Sequence, residues 1–153
     1  MLGMGVPMIR GVEVRVYIHA TEDREKVLKA VEAVIPRELQ SSARIIEEEY
    51  QGHYGNPIRV VTVKLEDPGL ARKAVSDLFS KLSSVDKEYI ADSLDERVDR
   101  YGALHLRVNK QDAFQGRLVL YDADDVIKIT VYYSGGRRKA LGEYKKMIEA
   151  SIH

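Results

Sequence analysis

Alternation of apolar and polar residues marks several segments of the chain as β-strands. The clearest is residues 12–20, where every second position is apolar, namely Val12, Val14, Val16 and Ile18. Successive side chains of a strand point to opposite faces, so this pattern predicts a half-buried strand whose solvent face carries Glu13, Arg15, Tyr17 and His19. Similar patterns predict further strands over residues 44–51, 58–66, 102–108, 116–121 and 126–133.

Helical spacing of apolar residues predicts helices between these strands. Thr21 is expected to cap the first helix, because its hydroxyl can accept a backbone N–H and the acidic residues after it suit the positive helix start. Asp67 starts a second helix, with proline at the first helical position, where no N–H is needed. A short third helix is predicted over residues 86–94, and an amphipathic final helix follows the glycine pair 135–136.

Hairpins with helices placed between them predict an α+β fold, in which a mostly antiparallel sheet is packed on one face by helices in two layers. The GHYGNP turn is expected to join strands 44–51 and 58–66 as an antiparallel hairpin. An Asp-Ala-Asp-Asp turn is expected to join strands 116–121 and 126–133 in the same way. The 153 residues are predicted to form a single domain in which residues 1–8 are flexible.

Composition limits the classes of function. The chain has no cysteine, so disulfides, thiolate chemistry and zinc ribbons are excluded, and an intracellular, cytoplasmic protein is expected. Its apolar runs fall far short of the roughly 18 residues of a membrane span. Its 24 basic and 24 acidic residues cancel, so binding of a polyanion would depend on a local patch of charge.

The GHYGNP turn is one candidate binding element. Gly52 and Gly55 permit positive φ angles, and the Asn56-Pro57 step favours extended backbone, so His53 and Tyr54 are presented at a rigid tip. A tyrosine ring and an imidazole at such a tip suit an unpaired RNA base. The alternative is structural: Tyr54 packs on the sheet and His53 bonds the turn backbone.

A second candidate combines cations with an amide in the region of residues 97–111: Arg97, Arg100, His105, Arg107, Lys110 and Gln111. Guanidinium groups match phosphate in a bidentate way, an ammonium adds a point charge, and an amide can read a base edge. The alternative is that Asp95, Glu96 and Asp99 neutralise the two arginines nearest to them in sequence. No acidic residue lies between residues 102 and 111.

Weaker candidates lie towards the C-terminus. Arg137 and Arg138 follow a glycine pair at a helix start, where phosphate could dock, although a solvated charged face is the alternative. Phe114 either stacks a base or belongs to the core. The carboxylates Asp122, Asp124 and Asp125 either hold Mg²⁺ or form an acidic turn.

Three blocks together resemble a known family: HATEDREKVLKAV at residues 19–31, GHYGNPI at 52–58, and LDERVDRYGALHLRVNKQDAFQG at 94–116. They are similar to the archaeal family described as predicted RNA-binding exosome subunits. The resemblance covers about residues 12–133 and implies a fold similar to a ribosomal large-subunit protein that contacts 5S RNA. It implies RNA and exosome subunits as partners, and it supplies no catalytic residue.

The sequence therefore predicts a non-catalytic protein that binds RNA through one face of its sheet and adjoining loops, with no cofactor or metal ion. A function of another class stays open: a self-associating scaffold or interaction module, such as a homodimer, in which Tyr132, Tyr133 and the final helix contact a partner. A nuclease that uses the carboxylates around Asp122 is the third hypothesis.

Overall fold

The computed structural model describes residues 8–52 and 54–152. Its strands are β1 (Ile9–His19), β2 (Arg44–Gln51), β3 (Pro57–Leu65), β4 (Leu104–Val108) and β5 (Ile127–Tyr133). They form one five-stranded sheet in the order β2-β3-β1-β5-β4, and every neighbouring pair is antiparallel. The β2–β3 hairpin lies at one edge of this sheet and β4 lies at the other.

The described helices are α1 (Arg24–Glu32), α2 (Arg37–Gln40), α3 (Pro68–Lys81), α4 (Ser84–Asp92), α5 (Leu94–Arg97), α6 (Lys110–Phe114) and α7 (Arg137–Ala150). Both α1 and α3 contact the central strand β1, while α7 contacts α3, α4 and α5. The predicted α+β fold is confirmed. None of the helices in the described part of the chain is long and apolar enough to cross a membrane.

The two faces of β1 are as the alternating pattern predicts. Val14 and Val16 are 0% and 1% exposed and lie in the core, whereas Arg15 between them is exposed. The core is completed by helix residues such as Phe79 of α3 and Tyr144 of α7. Burying these apolar side chains stabilises the helix-covered face and leaves the other face of the sheet without a helical layer.

The start of α1 corrects one prediction. Asp23, and not Thr21, is the N-cap, and its carboxylate accepts a hydrogen bond from the backbone N–H of Glu25 at 3.0 Å. The second helix starts as predicted, with Asp67 as N-cap and its carboxylate 3.0 Å from the N–H of Leu70. Both caps use a carboxylate, which suits the positive end of the helix better than a hydroxyl does.

The predicted strand over residues 116–121 is wrong. This segment makes one isolated bridge to β4, between Leu120 and Val108, and the hairpin predicted between residues 116–121 and 126–133 does not form. The backbone N–H of Leu120 donates instead to the Asp86 carboxylate at 3.0 Å. Because β5 pairs with β1 on one side and with β4 on the other, it has no free edge for this segment.

The expectation of flexibility for residues 1–8 falls outside the described residues except for Met8. The backbone carbonyl of Met8 accepts hydrogen bonds from the Ser134 N–H at 3.0 Å and from its hydroxyl at 3.1 Å. These bonds tie the start of β1 to the end of β5.

Candidate functional site

Three cations lie side by side across the uncovered face of the sheet. Arg15 on β1 is paired with Lys128 on β5, and Lys128 is paired with Arg107 on β4. Directly opposed residues of antiparallel strands share a face, with Cβ atoms about 5 Å apart. The sheet therefore holds three like charges in one line, which we call the cation row.

No described carboxylate forms an ion pair with the cation row. The nearby Glu13 accepts a hydrogen bond from the Tyr132 hydroxyl at 3.2 Å and lies 3.8 Å from the Lys64 ammonium. Asp122 is paired with Arg97 at 3.0 Å. Arg107 donates to the backbone carbonyl of Ala123 at 3.0 Å, which holds its position without cancelling its charge.

A groove of about 630 Å³ adjoins the cation row on the same face. We call it the tyrosine groove; it is lined by Arg15, Tyr17, His19, Tyr50, Ile58, Val60, Asp124 and Asp125. Pairing explains its apolar floor, because Ile58 lies between Tyr50 and His19 across three strands, and Val60 lies beside Tyr17. The exposed ring of Tyr50 is available for stacking.

Tyr17 connects the groove to the row. The guanidinium carbon of Arg15 lies 5.9 Å from the centre of the Tyr17 ring, and the Lys128 ammonium lies 5.5 Å from it. Such cation–π contacts stabilise the two charged groups beside the ring. A positively charged surface and an aromatic groove are therefore continuous.

Residues 121–126, which we call the acidic loop, border this surface. Side chains hold the loop in place: Arg97 binds Asp122 and Arg107 binds the Ala123 carbonyl. Asp125 is bound by Lys110 at 2.7 Å and by His19 at 3.2 Å. The carboxylates of Asp124 and Asp125 line one end of the tyrosine groove. The loop thus adds negative charge to a groove whose lining also includes the cation of Arg15.

Lys110, a predicted phosphate contact, is the centre of an ion-pair network. Its ammonium lies 3.1 Å and 3.2 Å from the two carboxylate oxygens of Glu22, in addition to its contact with Asp125. Only 12% of the Lys110 side chain is exposed. Residues 102–111 contain no acid, but both acids that contact Lys110 come from outside this segment.

The same network brings His19, Glu22 and Asp125 close together. Their ligand atoms all lie within 4.8 Å of one another, a spacing that a cation could bridge. The Lys110 ammonium already supplies the positive charge. Burial alone would raise the pKa of Asp125, but the hydrogen bond and charge of Lys110, with help from His19, lower it.

The structure places the GHYGNP turn at the hairpin end of the sheet, next to Tyr50. Tyr54 is 89% exposed, so its ring does not pack on the sheet as the structural alternative supposed. Gly55 has a φ of +80°, as expected, whereas Gly52 does not have a positive φ. Asn56 is exposed, and the predictions for His53 concern a residue outside those described.

Arg97 and Arg100 both make contacts within the protein. The Arg97 side chain is 10% exposed, and its Nε donates to the Ser93 hydroxyl at 2.7 Å while the guanidinium binds Asp122. Arg100 donates to the Tyr101 hydroxyl at 2.7 Å and lies over that ring. Arg97 is thus neutralised by a carboxylate on the acidic loop, not by the acids adjacent to it in sequence.

His105 lies two residues before Arg107 on the same face of β4, opposite Thr130. Its Nε2 is 2.9 Å from the Asp99 carboxylate. Burial opposes the effect, but this contact and the N–H groups of Ala103 and Tyr101 lower the pKa of Asp99. One ring nitrogen of His105 is therefore used in a contact with the turn that precedes β4.

The remaining candidates are separated from the cation row. Arg137 donates to the Asp95 carbonyl at 3.0 Å, while Arg138 is exposed. Gln111 is exposed on α6. Phe114 packs partly against the core, with two lysines of α1 over its ring, which supports its structural interpretation.

Of the predicted site residues, the structure brings only Arg107 into the cation row. Four residues of this surface were not predicted as site residues: Arg15, Tyr17, Tyr50 and Lys128. Arg15 and Tyr17 were correctly predicted to lie on the solvent face of β1. The alternation of polar Lys128 and Thr130 on β5 was the signal that could have added Lys128 to the site. Joining these residues required the strand order.

A protein-family model described as "RNA binding" matches residues 11–133 of the chain. The match spans β1 to β5 and includes the cation row, the tyrosine groove and the acidic loop. The chain belongs to this RNA-binding family.

Two curated relatives show similar coverage. The chain is 36% identical over 121 residues to "RNA-binding protein PAB1135" of Pyrococcus abyssi, covering 78% of this chain and 79% of the relative. It is 32% identical over 124 residues to the uncharacterized protein MJ0213 of Methanocaldococcus jannaschii, covering 79% and 82%. Family membership thus rests on most of both chains.

Solved structures of similar proteins share the fold. The AF2318 protein of Archaeglobus fulgidus has a TM-score of 0.76 at 30% identity, covering 91% of this chain and 99% of that chain. The SSO0741 protein of Sulfolobus solfataricus has a TM-score of 0.78 at 27% identity, covering 93% and 99%. The family's sheet and helical layer therefore recur in relatives with less than a third of their residues identical.

Proposed function

We propose that this protein binds RNA through the uncovered face of its sheet and does not catalyse a reaction on it. The observation that carries the proposal is the cation row, in which Arg15, Lys128 and Arg107 are aligned without an ion-paired carboxylate among the described residues. Like charges placed directly opposite each other repel, and this repulsion destabilises the folded protein when no RNA is bound. A phosphate backbone supplies the negative charge that the row lacks.

Two further observations support RNA as the partner. The family model is described as RNA binding, and the Pyrococcus abyssi relative is named an RNA-binding protein. The chain has no net charge, so its attraction for a polyanion is concentrated in a local patch instead of being spread over the surface. The cation row is that patch.

Adjoining loops extend the proposed surface. Tyr54 and Asn56 lie at the exposed hairpin turn beside the tyrosine groove. Along the opposite edge, His105 stands beside the cation row, with the cation of Arg100 in the preceding turn. These residues are proposed to contact RNA after the row has bound the backbone.

The acidic loop carries the carboxylates that the nuclease hypothesis requires for catalysis. We propose that the loop is structural, because Asp122 and Asp125 are each bound to a cation of the chain. Purified protein should leave RNA intact whether or not Mg²⁺ is present. Cleavage that is lost in Asp124→Ala would instead make the loop a metal-dependent site.

The family resemblance supports a more specific proposal, in which the protein associates with exosome subunits in the cytoplasm. It is tested by co-purifying the protein with exosome subunits before and after ribonuclease treatment. Recovery that survives the treatment would indicate a direct protein contact, and loss would indicate that RNA bridges the two. Failure to co-purify in either condition would remove the exosome from the proposal.

The scaffold alternative loses part of its basis in the described structure. Tyr133 is buried and packs edge-on against Tyr144, with 5.8 Å between the ring centres. The apolar stripe of α7, represented by Ala140 and Ile148, faces the protein's own core. These groups are used within the chain and are not available to a partner.

An RNA titration at several salt concentrations tests the proposed function. Neutralising phosphates releases counterions, so log K should fall linearly with log salt, by about 0.7 per phosphate contact for a single strand. Binding with no salt dependence, or no binding at low salt, would contradict an interface built on the cation row.

A further inference from the structure

We propose that the tyrosine groove holds an unpaired nucleobase of single-stranded RNA, and that Asp124 makes it prefer guanine over uracil. This inference rests on the proposed function, since the cation row must hold the backbone for a base to reach the groove. It goes further by naming the form of RNA and the base.

The groove has the shape and lining of a site for a flat aromatic ring. Its volume of about 630 Å³ lies within the range of small-molecule sites, which are mostly apolar with a few placed polar groups. Ile58 and Val60 form the apolar floor, and the ring of Tyr50 is about half exposed. Base stacking on such a ring needs no particular base, because every base has a π-face.

Single-stranded RNA follows from the position of the groove beside the row. Arg15 lines the groove and also belongs to the cation row, so a backbone bound along the row passes the groove opening. Bases of an A-form duplex are paired and stacked inside the helix, and its deep, narrow major groove does not admit side chains. Only an unpaired base can turn out from the strand and stack on Tyr50.

Asp124 provides the base preference. Its neighbour Asp125 is bound by Lys110 and His19, whereas Asp124 is exposed and makes no hydrogen bond or ion pair with any residue in the ranges 8–52 and 54–152. An ionised carboxylate only accepts hydrogen bonds and can accept two in parallel. It lines the groove together with Asp125, which contacts His19 at 3.2 Å, and Ile58 separates His19 from Tyr50. A base stacked on Tyr50 would therefore direct its edge towards Asp124.

The four bases present different edges to a carboxylate. The Watson–Crick edge of guanine offers adjacent N1–H and N2–H donors, which match the two carboxylate oxygens. Adenine and cytosine each offer one amino group, and uracil places its single N–H between two carbonyl oxygens that the carboxylate repels. The expected order is therefore guanine first, adenine and cytosine next, and uracil last.

The experiment measures affinity by fluorescence anisotropy for three RNAs: an all-uridine strand, the same strand with one central guanosine, and the guanosine strand annealed to its complement. The guanosine strand should bind about 5- to 150-fold more tightly than the uridine strand, the range expected for one bidentate contact. The duplex should bind more weakly than either single strand. Equal affinity for all three RNAs would overturn the inference.

Two variants separate stacking from base preference. Asp124→Asn should bring the affinity for the guanosine strand to that for the uridine strand without reducing the salt slope; Asp92→Asn, an exposed carboxylate on α4, is its matched control. Tyr50→Ala should weaken both strands about 5- to 150-fold, and Tyr50→Phe should lose less because it keeps the ring. Tyr89→Ala, which removes an exposed tyrosine on α4 outside the groove, is the control for stacking.

Failure of this inference differs from failure of the proposed function. If the groove does not hold a base, RNA still binds with a salt slope that depends on the cation row, while Tyr50→Ala and Asp124→Asn behave as their controls do. If the proposed function is wrong, no RNA binds at low salt. A guanosine preference that persists in Asp124→Asn would overturn the role of this carboxylate, and unchanged binding by Tyr50→Ala would overturn the role of the groove.

Discussion

Arg15 lies directly opposite Lys128 across β1 and β5, and both charged groups lie within 6 Å of the centre of the same tyrosine ring. Two like charges in opposed positions repel each other, while each is attracted to the electron-rich face of Tyr17. The ring thus offsets part of the repulsion and keeps both cations at the surface. This arrangement leaves a positive site that a polyanion can neutralise.

A double-mutant cycle on Arg15→Gln and Lys128→Gln should give a repulsive coupling free energy of unfolding of about 0.2–1 kcal/mol. Each single change removes its own contact with Tyr17, so the coupling term isolates the pair. Measured by chemical denaturation, the coupling should shrink as salt is raised, because ions screen exposed charges. An attractive or salt-independent coupling would mean that the two side chains turn away from each other in solution.

The same double variant should weaken RNA binding for every sequence and reduce the slope of log K against log salt by about 1.4, which corresponds to two phosphate contacts at about 0.7 each. The matched control is Lys145→Gln with Lys146→Gln, which removes two exposed lysines from α7 in the helical layer. If both double variants change the slope equally, RNA responds to net charge and the cation row is not its site.

Local patterns were sufficient where a residue's role is set by its near neighbours. The alternation in β1 gave the buried face correctly, and Asp67 before Pro68 gave the start of α3. The β2–β3 hairpin also follows from its turn residues, because the turn and both strands are adjacent in sequence. These predictions needed no knowledge of distant parts of the chain.

Long-range pairing explains the failures. Residues 116–121 alternate like a strand, but the backbone of Leu120 bonds to Asp86 on α4, thirty-four residues earlier. The Lys110 ammonium lies 3.1 Å from the carboxylate of Glu22, which is 88 residues away in sequence, so the local sequence could not indicate this ion pair. The cation row likewise exists only because β5 lies between β1 and β4, an order that no local pattern specifies.

Glu47 on β2 is expected to stabilise the protein in a pH-dependent way. Hydrogen bonds from Arg24 and then Arg59 lower its pKa from 4.5 to about 2. A carboxylate whose pKa is lower in the folded state stabilises the fold above its unfolded pKa, and this contribution disappears as pH falls from about 4.5 towards 2. Glu47→Gln should therefore lower the free energy of unfolding near pH 7, by about 1 kcal/mol or less for an exposed pair.

Chemical denaturation at a series of pH values checks this expectation. The difference between wild type and Glu47→Gln should narrow steadily between pH 4.5 and 2. Glu48→Gln is the matched control, because Glu48 lies on the other face of β2 and forms no ion pair with a described cation. A difference that stays constant across this range would show that Glu47 acts through packing and not through its charge.

Lys110→Met should destabilise the fold by about 1–3 kcal/mol, because it leaves Glu22 and Asp125 without the cation that both contact. In wild type, the melting temperature should be the same in EDTA and in Mg²⁺, since the ammonium already occupies the position between the carboxylates. Thermal unfolding monitored by circular dichroism measures both effects. Stabilisation of wild type by Mg²⁺ would favour the metal-dependent interpretation of this cluster.

Tyr54→Ala tests whether the hairpin turn is part of the RNA surface. The ring is 89% exposed, so its removal should change the free energy of unfolding by no more than about 0.5 kcal/mol. If the ring stacks a base, RNA affinity should fall by about 1–3 kcal/mol. The salt slope should stay unchanged, because no charge is removed and the number of phosphate contacts is the same.

The combination of these three measurements distinguishes the explanations for the turn. Weaker binding with normal stability and a normal salt slope would identify Tyr54 as a stacking platform, extending the surface from Tyr50 towards the tip of the β2–β3 hairpin. A large fall in melting temperature would instead make the turn structural. Tyr89→Ala is the exposed-tyrosine control. Unchanged affinity in Tyr54→Ala would confine the RNA surface to the sheet, because a ring that contacts RNA cannot be removed without loss of its stacking free energy.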